Sequence, residues 1–269
     1  MIEIKELTTI EELKALKHIE KAVWDMDPLP THQTLTAVKN GGLVIGAYDG
    51  ENLIGFSYGF AGFSGSQTYL CSHMLGIIDN YRSKKIGEKL KQKQRQVALR
   101  KGYSKMHWTF DPLETRNAYL NLSKLRGIVD VYIEDAYGAM EDGLNKGLPS
   151  DRFEVHWFLS SEHADKYSPP TIEAASLLNK IAYNNDVPTF GEHLEETLSQ
   201  ETYGVVVPNN IQELKQHAPD IALDWRLKTR RLFQELITAG YAAVHLYPHE
   251  RTATYIFVKK ESLNLGDEQ

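Results

Sequence analysis

The sequence predicts an α/β chain, layered rather than a regular βαβ repeat: a mixed, mostly antiparallel central sheet flanked by helices, with a small C-terminal α+β subdomain. Three observations carry this. Two apolar strands in the first half are joined by a hairpin turn. A third, strongly apolar strand runs straight into a basic turn and a long helix. From Ser160 to about Thr202 the chain turns polar and Pro-punctuated before a second set of elements begins. A length of 269 residues is long for one ordinary domain and short for two full-sized ones. The expected division is therefore 1–160 and 161–269.

The elements follow in order. Residues 2–7 form a strand. Thr8 or Thr9 caps a helix whose first turn holds Glu11 and Glu12 and whose apolar face is Leu13, Leu16 and Ile19 with Ala22 and Val23. Asp27-Pro28-Leu29-Pro30 breaks it, and a short helix runs from Thr31 to Asn40-Gly41-Gly42. Strands at 43–48 and 53–60 flank the turn Asp49-Gly50-Glu51-Asn52. After a flexible turn at 62–66 come the central strand 68–78, a helix at 85–101 closed by Gly102, and a strand at 105–110. Asp111-Pro112 stops that strand; a helix at 114–125 ends at Gly127, and strands at 128–133 and 153–159 enclose a Gly-, Asp- and Asn-rich loop at 137–151. The C-terminal part reads as a strand at 203–207, a short helix, a long helix at 222–239 and a hairpin of 242–247 with 252–259.

Composition narrows the function classes. About 42% hydrophobic and 25% charged residues fit a globular protein with a core, and a net charge of −6 disfavours general nucleic-acid binding. No apolar run reaches the roughly 18 residues that span a bilayer. The alternating N-terminus Met1-Ile2-Glu3-Ile4-Lys5-Glu6 does not read as a signal peptide. The single Cys71 excludes an internal disulfide and a Cys-rich zinc site, and the ten histidines show no metal-ligand spacing, so no metal is expected. A cytoplasmic location is the expectation from these features together.

The most informative segment is Ile77-Ile78-Asp79-Asn80-Tyr81-Arg82-Ser83-Lys84-Lys85-Ile86-Gly87. A hydrophobic strand ends, a basic turn follows and a helix begins. Free N–H groups and the helix dipole suit such a place to a pyrophosphate. Between Arg82 and Arg95 there are seven basic residues and one acid, Glu88, in an otherwise acidic chain. A solvated lysine-rich face is the bland alternative. The segment resembles the GNAT acyltransferases, which carry Arg or Gln, two residues, Gly, one residue, then Gly or Ala between their fourth strand and third helix. Arg82, Ile86 and Gly87 match; Ser83 and Lys85 stand where glycines are usual. The runs Ser72-His73-Met74-Leu75-Gly76, Gln94-Arg95, Trp108 to Leu113, Arg116-Asn117-Ala118 and Asp151-Arg152-Phe153 resemble a poorly characterised subgroup of that family. The resemblance covers roughly residues 1–160. It implies a bound acyl-CoA, acetyl-CoA or succinyl-CoA, with Arg82, Ser83, Lys84, Lys85, Ile86 and Gly87 at the pyrophosphate and the backbone of Ile77 beside the pantetheine arm.

The same resemblance implies transfer of an acyl group to a primary amine by direct attack. The acceptor expected is a small molecule such as an amino acid. A non-catalytic CoA-binding or regulatory module and a protein N-acetyltransferase are the rival readings. His73 is the candidate base, against a buried histidine bonded to backbone. Asp111 is either an ammonium-binding base or a strand-ending cap. Many relatives have an acidic Tyr four residues before the glycine that ends the fourth helix. Here that position is Ser123, and Tyr119 lies one turn earlier, so Ser123 or Tyr119 is the candidate acid. Asn117 and Asn121 are set either to bond the pantetheine amides or to face solvent. Cys71 reads as inert packing rather than a nucleophile, and the four tryptophans as core. The loop at 137–151 is placed to cover the acceptor, with Arg152 on a substrate carboxylate or anchoring the loop. The C-terminal subdomain is expected to shape the acceptor site or a homodimer.

Overall fold

A computed structural model describes residues 2–25, 27–65, 67–82, 84–138, 146–193 and 197–266. They cluster into two compact units, the first of residues 2–108 and 158–160, the second of residues 109–157 and 161–266. Residues 109–157, grouped with the N-terminal part in the sequence reading, thus share a unit with the C-terminal part. The architecture is the expected one: mixed α/β, with mostly antiparallel pairing.

The first unit opens with β1 (Ile2–Glu6) and α1 (Ile10–Lys14). Thr9 caps α1 in a reciprocal box: its hydroxyl accepts the Glu12 N–H at 3.3 Å, and the Glu12 carboxylate accepts the Thr9 N–H at 3.1 Å. The predicted single helix is broken at Ala15, and α2 (Leu16–Trp24) stops at Asp25 in a left-handed turn, φ 51°. Next come α3 (Thr31–Lys39), β2 (Leu43–Asp49), β3 (Asn52–Ser64), β4 (Gln67–Ile77), α4 (Ile86–Arg100) and β5 (Lys105–Phe110). Strands β1 to β4 pair antiparallel in sequence order, and α4 carries the chain over to β5, parallel to β4. Helices cover both faces. Phe56 and Tyr58 pack with Leu13, Leu16 and Ile19 of α1 and α2, while a Cβ on the next residue, Gly59, would lie 3.2 Å from Gln94 of α4.

The second unit starts with α5 (Thr115–Ala118), which widens into a π-helical turn at Tyr119–Lys124 where an α-helix to residue 125 was expected. Strands β6 (Ile128–Ile133) and β7 (Arg152–Phe158) follow, then α6 (Glu162–Lys166), β8 (Ser176–Leu177), β9 (Asn179–Asn184), β10 (Val187–His193) and β11 (Thr202–Pro208). The chain ends with α7 (Ile211–His217), α8 (Pro219–Thr238), β12 (Tyr241–Pro248) and β13 (Thr252–Lys259). β6 pairs with β7 on one side and with β12 on the other, and β12-β13-β11-β8 continue the sheet, which is why 128–157 belongs with the C-terminal strands. Aromatic rings fill its core; Phe153 lies 4.7 Å from Phe233 and 5.6 Å from Tyr255.

Candidate functional site

β4 pairs with β5 at Leu70–Met106 and Cys71–His107. Beyond Cys71, the edge of β4 on that side carries no strand partner among the described residues. That open edge leads to the basic turn. Ile78 bonds back to Ile54, a 3₁₀ turn covers Asp79–Tyr81, and α4 starts at Ile86. No side chain caps the helix, so its first N–H groups have no partner from a capping residue. Lys85 occupies the cap position at φ 59°, ψ 17°, the left-handed region that glycine favours. Glycine is the residue the family pattern puts there, and the lysine takes the glycine conformation.

The cations of the turn differ in freedom. The Arg82 guanidinium donates to the Ile77 carbonyl at 3.3 Å and pairs with Asp79 at 2.9 Å. The Lys84 ammonium sits 4.6 Å from the Tyr81 ring, whose hydroxyl donates to Asp49 at 2.7 Å. Lys84, Lys85 and Lys89 are exposed around the helix start, and Ile86 is buried beneath it. Ser83 lies outside the described residues.

His73 owes its place to a β-bulge. Tyr58 pairs with Met74 and Gly59 with Ser72, so His73 is the extra residue between two rungs. Ser72 before the bulge faces α4; Met74 after it faces α1 and α2. Without the bulge those two residues would share a face. His73 lines an open cleft of about 700 Å³ with α3 on the opposite wall. Its ring meets Tyr58 and Phe60 edge-on, at 6.1 and 5.7 Å. Although partly exposed to solvent, the imidazole is crowded by these walls, and loss of water pushes its pKa below the ordinary histidine value.

Behind Ser72 lies a buried network absent from the sequence reading. The Lys91 ammonium donates to the Ser72 hydroxyl at 2.9 Å, and that hydroxyl donates to Gln94 Oε1 at 2.9 Å. Lys91 Nζ also stands 3.3 Å from the centre of the Trp108 ring. Burial drives the Lys91 pKa well down. The signal was available: Lys91 falls on the helix face set by Ile86, Leu90 and Val97, a poor place for an ordinary surface lysine.

Gly87 lies in the first turn of α4; Asp111, Asn117, Tyr119, Asn121 and Ser123 lie in the second unit. The Asp111 carboxylate is engaged by the Arg226 guanidinium and accepts the Leu113 N–H at 2.8 Å. Arg226 is fully buried, and its Nε and Nη1 have no hydrogen-bond partner among the described residues. The Ser123 hydroxyl donates to the Leu246 carbonyl at 3.0 Å and accepts the Leu246 N–H at 3.1 Å. Tyr119 is half-buried with the Lys124 ammonium 5.0 Å over its ring. Asn117 is exposed and Asn121 buried. Arg152 donates to the Asp151 carbonyl at 2.9 Å and stacks at 5.2 Å over Tyr137, the arrangement of a loop anchor. Residues 139–145 of that loop lie outside the described residues.

No family model and no curated protein matches the sequence. Solved structures similar to the chain include the ribosomal-protein-S18-alanine N-acetyltransferase of Escherichia coli, at 13% identity and a TM-score of 0.48 over 62% of this chain and 100% of that one. An N-acetyltransferase of Staphylococcus aureus Mu50 is similar at 17% identity and TM-score 0.46, over 59% of this chain and 98% of its own. The PaiA N-acetyltransferase of Thermoplasma acidophilum, solved with coenzyme A, is similar at 19% identity and TM-score 0.42, over 58% and 98%. Among the described residues no helix is long and apolar enough to cross a membrane.

Proposed function

We propose that the protein is an acyl-CoA-dependent N-acyltransferase of the GNAT type that binds its coenzyme along the open edge of β4. The observation that carries this reading is the uncapped N-terminus of α4, ringed by exposed lysines at the end of an edge that has no strand partner past Cys71 among the described residues. Backbone N–H groups at a helix start, a favourable dipole and lysines around them give an anion both directed donors and charge. An extended pantetheine arm would fill the role of the missing strand against residues 72–77. The resemblance at Arg82, Ile86 and Gly87 points to the same ligand.

In this reading the acceptor amine lies in the cleft before His73. Its nitrogen attacks the thioester carbonyl, the C–S bond breaks, and the amine proton passes to the His73 imidazole. The lowered pKa keeps that imidazole neutral and ready to accept. The residue pushed out of the ladder by the bulge leaves backbone free to polarise the thioester oxygen. Asp111 and Ser123 are assigned structural parts, because their polar atoms are already spent on Arg226 and Leu246. The thiolate then leaves without a residue at the position of the family's tyrosine. Tyr119 stays the candidate acid for that thiolate, and Asn117 and Asn121 stay candidates for the pantetheine amides. The acyl group is acetyl or succinyl.

A second reading, a CoA-binding module without catalysis, is favoured by the locked Ser123 hydroxyl. Calorimetric titration with acetyl-CoA and succinyl-CoA, joined to a thiol-release assay over an amine panel, separates the two. The expected result is binding that weakens with salt, falls about tenfold in Lys84→Glu, consistent with loss of one charge-assisted contact, and supports turnover. His73→Ala is expected to keep binding and lose about a hundredfold or more in kcat. Tight binding with no turnover on any amine supports the second reading; no binding of either thioester overturns both.

A further inference from the structure

The cleft in front of His73 has a chemical character beyond its position. Its floor is aromatic: the His73 ring meets Tyr58 and Phe60 edge-on and those two are tilted to each other, with ring centres 5.7 to 6.2 Å apart. The facing wall comes from α3 and the residue that ends it, and offers His32, Gln33 and Asn40, all exposed, among small or apolar neighbours. Among the described residues, no carboxylate, ammonium or guanidinium lines it. Burial pushes the Tyr58 phenol above its ordinary value, so that ring stays neutral too. Glu20 of α2, whose charge reaches the Tyr58 phenol, is buried outside the lining and accepts the Leu29 N–H at 2.6 Å.

Such a lining discriminates. A flat apolar body gains burial and edge-to-face contact with three rings. A charged body finds no counter-ion and has to give up part of its water for uncharged neighbours. The polar groups of α3 are amides and an imidazole, which bond neutral donors and acceptors at the rim. Building on the acyl-transfer reading above, we infer that the acceptor carries an uncharged, aromatic-sized body into this cleft, and that amines with a charged body, such as diamines or acidic amino acids, are poor acceptors. This narrows the acceptor to a class: a primary amine on an aryl or large apolar frame, whether or not it also bears a carboxylate beside the amine.

The test uses the full chain. Thiol release is followed with acetyl-CoA and with succinyl-CoA for phenethylamine and for both enantiomers of phenylalanine, against putrescine and both enantiomers of glutamate. Equilibrium binding of each amine is measured in parallel. The aromatic amines are expected to exceed the charged ones by at least about tenfold in kcat/KM or in affinity. Phe60→Ala is expected to shrink that preference while leaving acyl-CoA affinity unchanged. Equal or better use of putrescine or glutamate overturns the inference. Should no amine turn over, the acyl-transfer reading fails by itself: aromatic amines that still bind preferentially, with the preference lost in Phe60→Ala, keep the inference, and absence of that preference overturns it as well.

Discussion

Lys85 holds a left-handed backbone at φ 59° in the one turn where the chain needs its direction reversed before α4. An L side chain there costs about 1 kcal/mol relative to glycine. The Lys85→Gly variant is therefore expected to unfold at higher urea, by about 1 kcal/mol, while binding acyl-CoA more weakly through the lost charge. A gain in stability together with unchanged affinity would show that the ammonium does not meet the phosphates. Asp111 presents the opposite case. Its partner Arg226 is completely buried, and Asp111 is the acid within contact distance of its guanidinium. Removing the charge in Asp111→Asn leaves a buried cation less compensated, which costs about 3–5 kcal/mol. A circular-dichroism melt checks it; a loss below about 1 kcal/mol would mean that water reaches the guanidinium. The bare sequence left Asp111 open between cap and base because its decisive neighbour is 115 positions away.

At the scale of elements, the strand–turn–helix of β4 and α4 was legible because apolar run, basic turn and amphipathic helix are local signals. The bulge at His73 was not, since nothing in Ser72-His73-Met74 marks an extra residue; it is fixed by register against β3. The hairpin of β9 and β10 was passed over inside a polar stretch, though Asn185 and Asp186 both adopt positive φ, 47° and 65°, as the tight turns of such hairpins require. That Asn-Asp pair was the available clue. The helix predicted at 114–125 divides into α5 and a π-helical turn, where Gly127 N–H reaches the Asn121 carbonyl at 2.9 Å. A Cβ at Gly127 would come within 2.6 Å of Val155, so the glycine serves close packing with β7. Ser123 ties this turn to β12 through both of its hydrogen bonds. Ser123→Ala is thus expected to cost about 1–2 kcal/mol in chemical denaturation, with kcat for acyl transfer kept within about twofold. A collapse of kcat with intact stability would restore the hydroxyl as the acid that protonates the thiolate.

The whole molecule's response to acid follows from groups of the second unit. His163 is 3% exposed, lies 4.2 Å from the Tyr167 ring, and has no hydrogen-bond partner on either ring nitrogen among the described residues. Burial first, and the nearby Arg126 charge second, bring its pKa from 6.5 down to about 4. The unfolded chain therefore takes up a proton on this ring where the folded one does not, across the window between these values. Stability falls as pH drops through about 6.5 and levels off below about 4, with a deficit of about 2 kcal/mol already at about pH 5. Asp130 acts in a lower window. Burial would raise its carboxyl, but the His156 and Lys260 contacts outweigh that and hold it at about 2, so its contribution is lost only as pH falls from about 3.8 through that value. The two are separable by pH alone. His163→Phe keeps the ring against Tyr167, removes the titrating nitrogens and relieves two unsatisfied polar atoms. Urea unfolding at about pH 8 and about pH 5 is expected to show the variant at least as stable as the parent at the higher pH, and to lose about 2 kcal/mol less than the parent on going to the lower. An identical loss in both proteins would mean that the ring already takes its proton in the folded state, through water admitted to the pocket beside Tyr167.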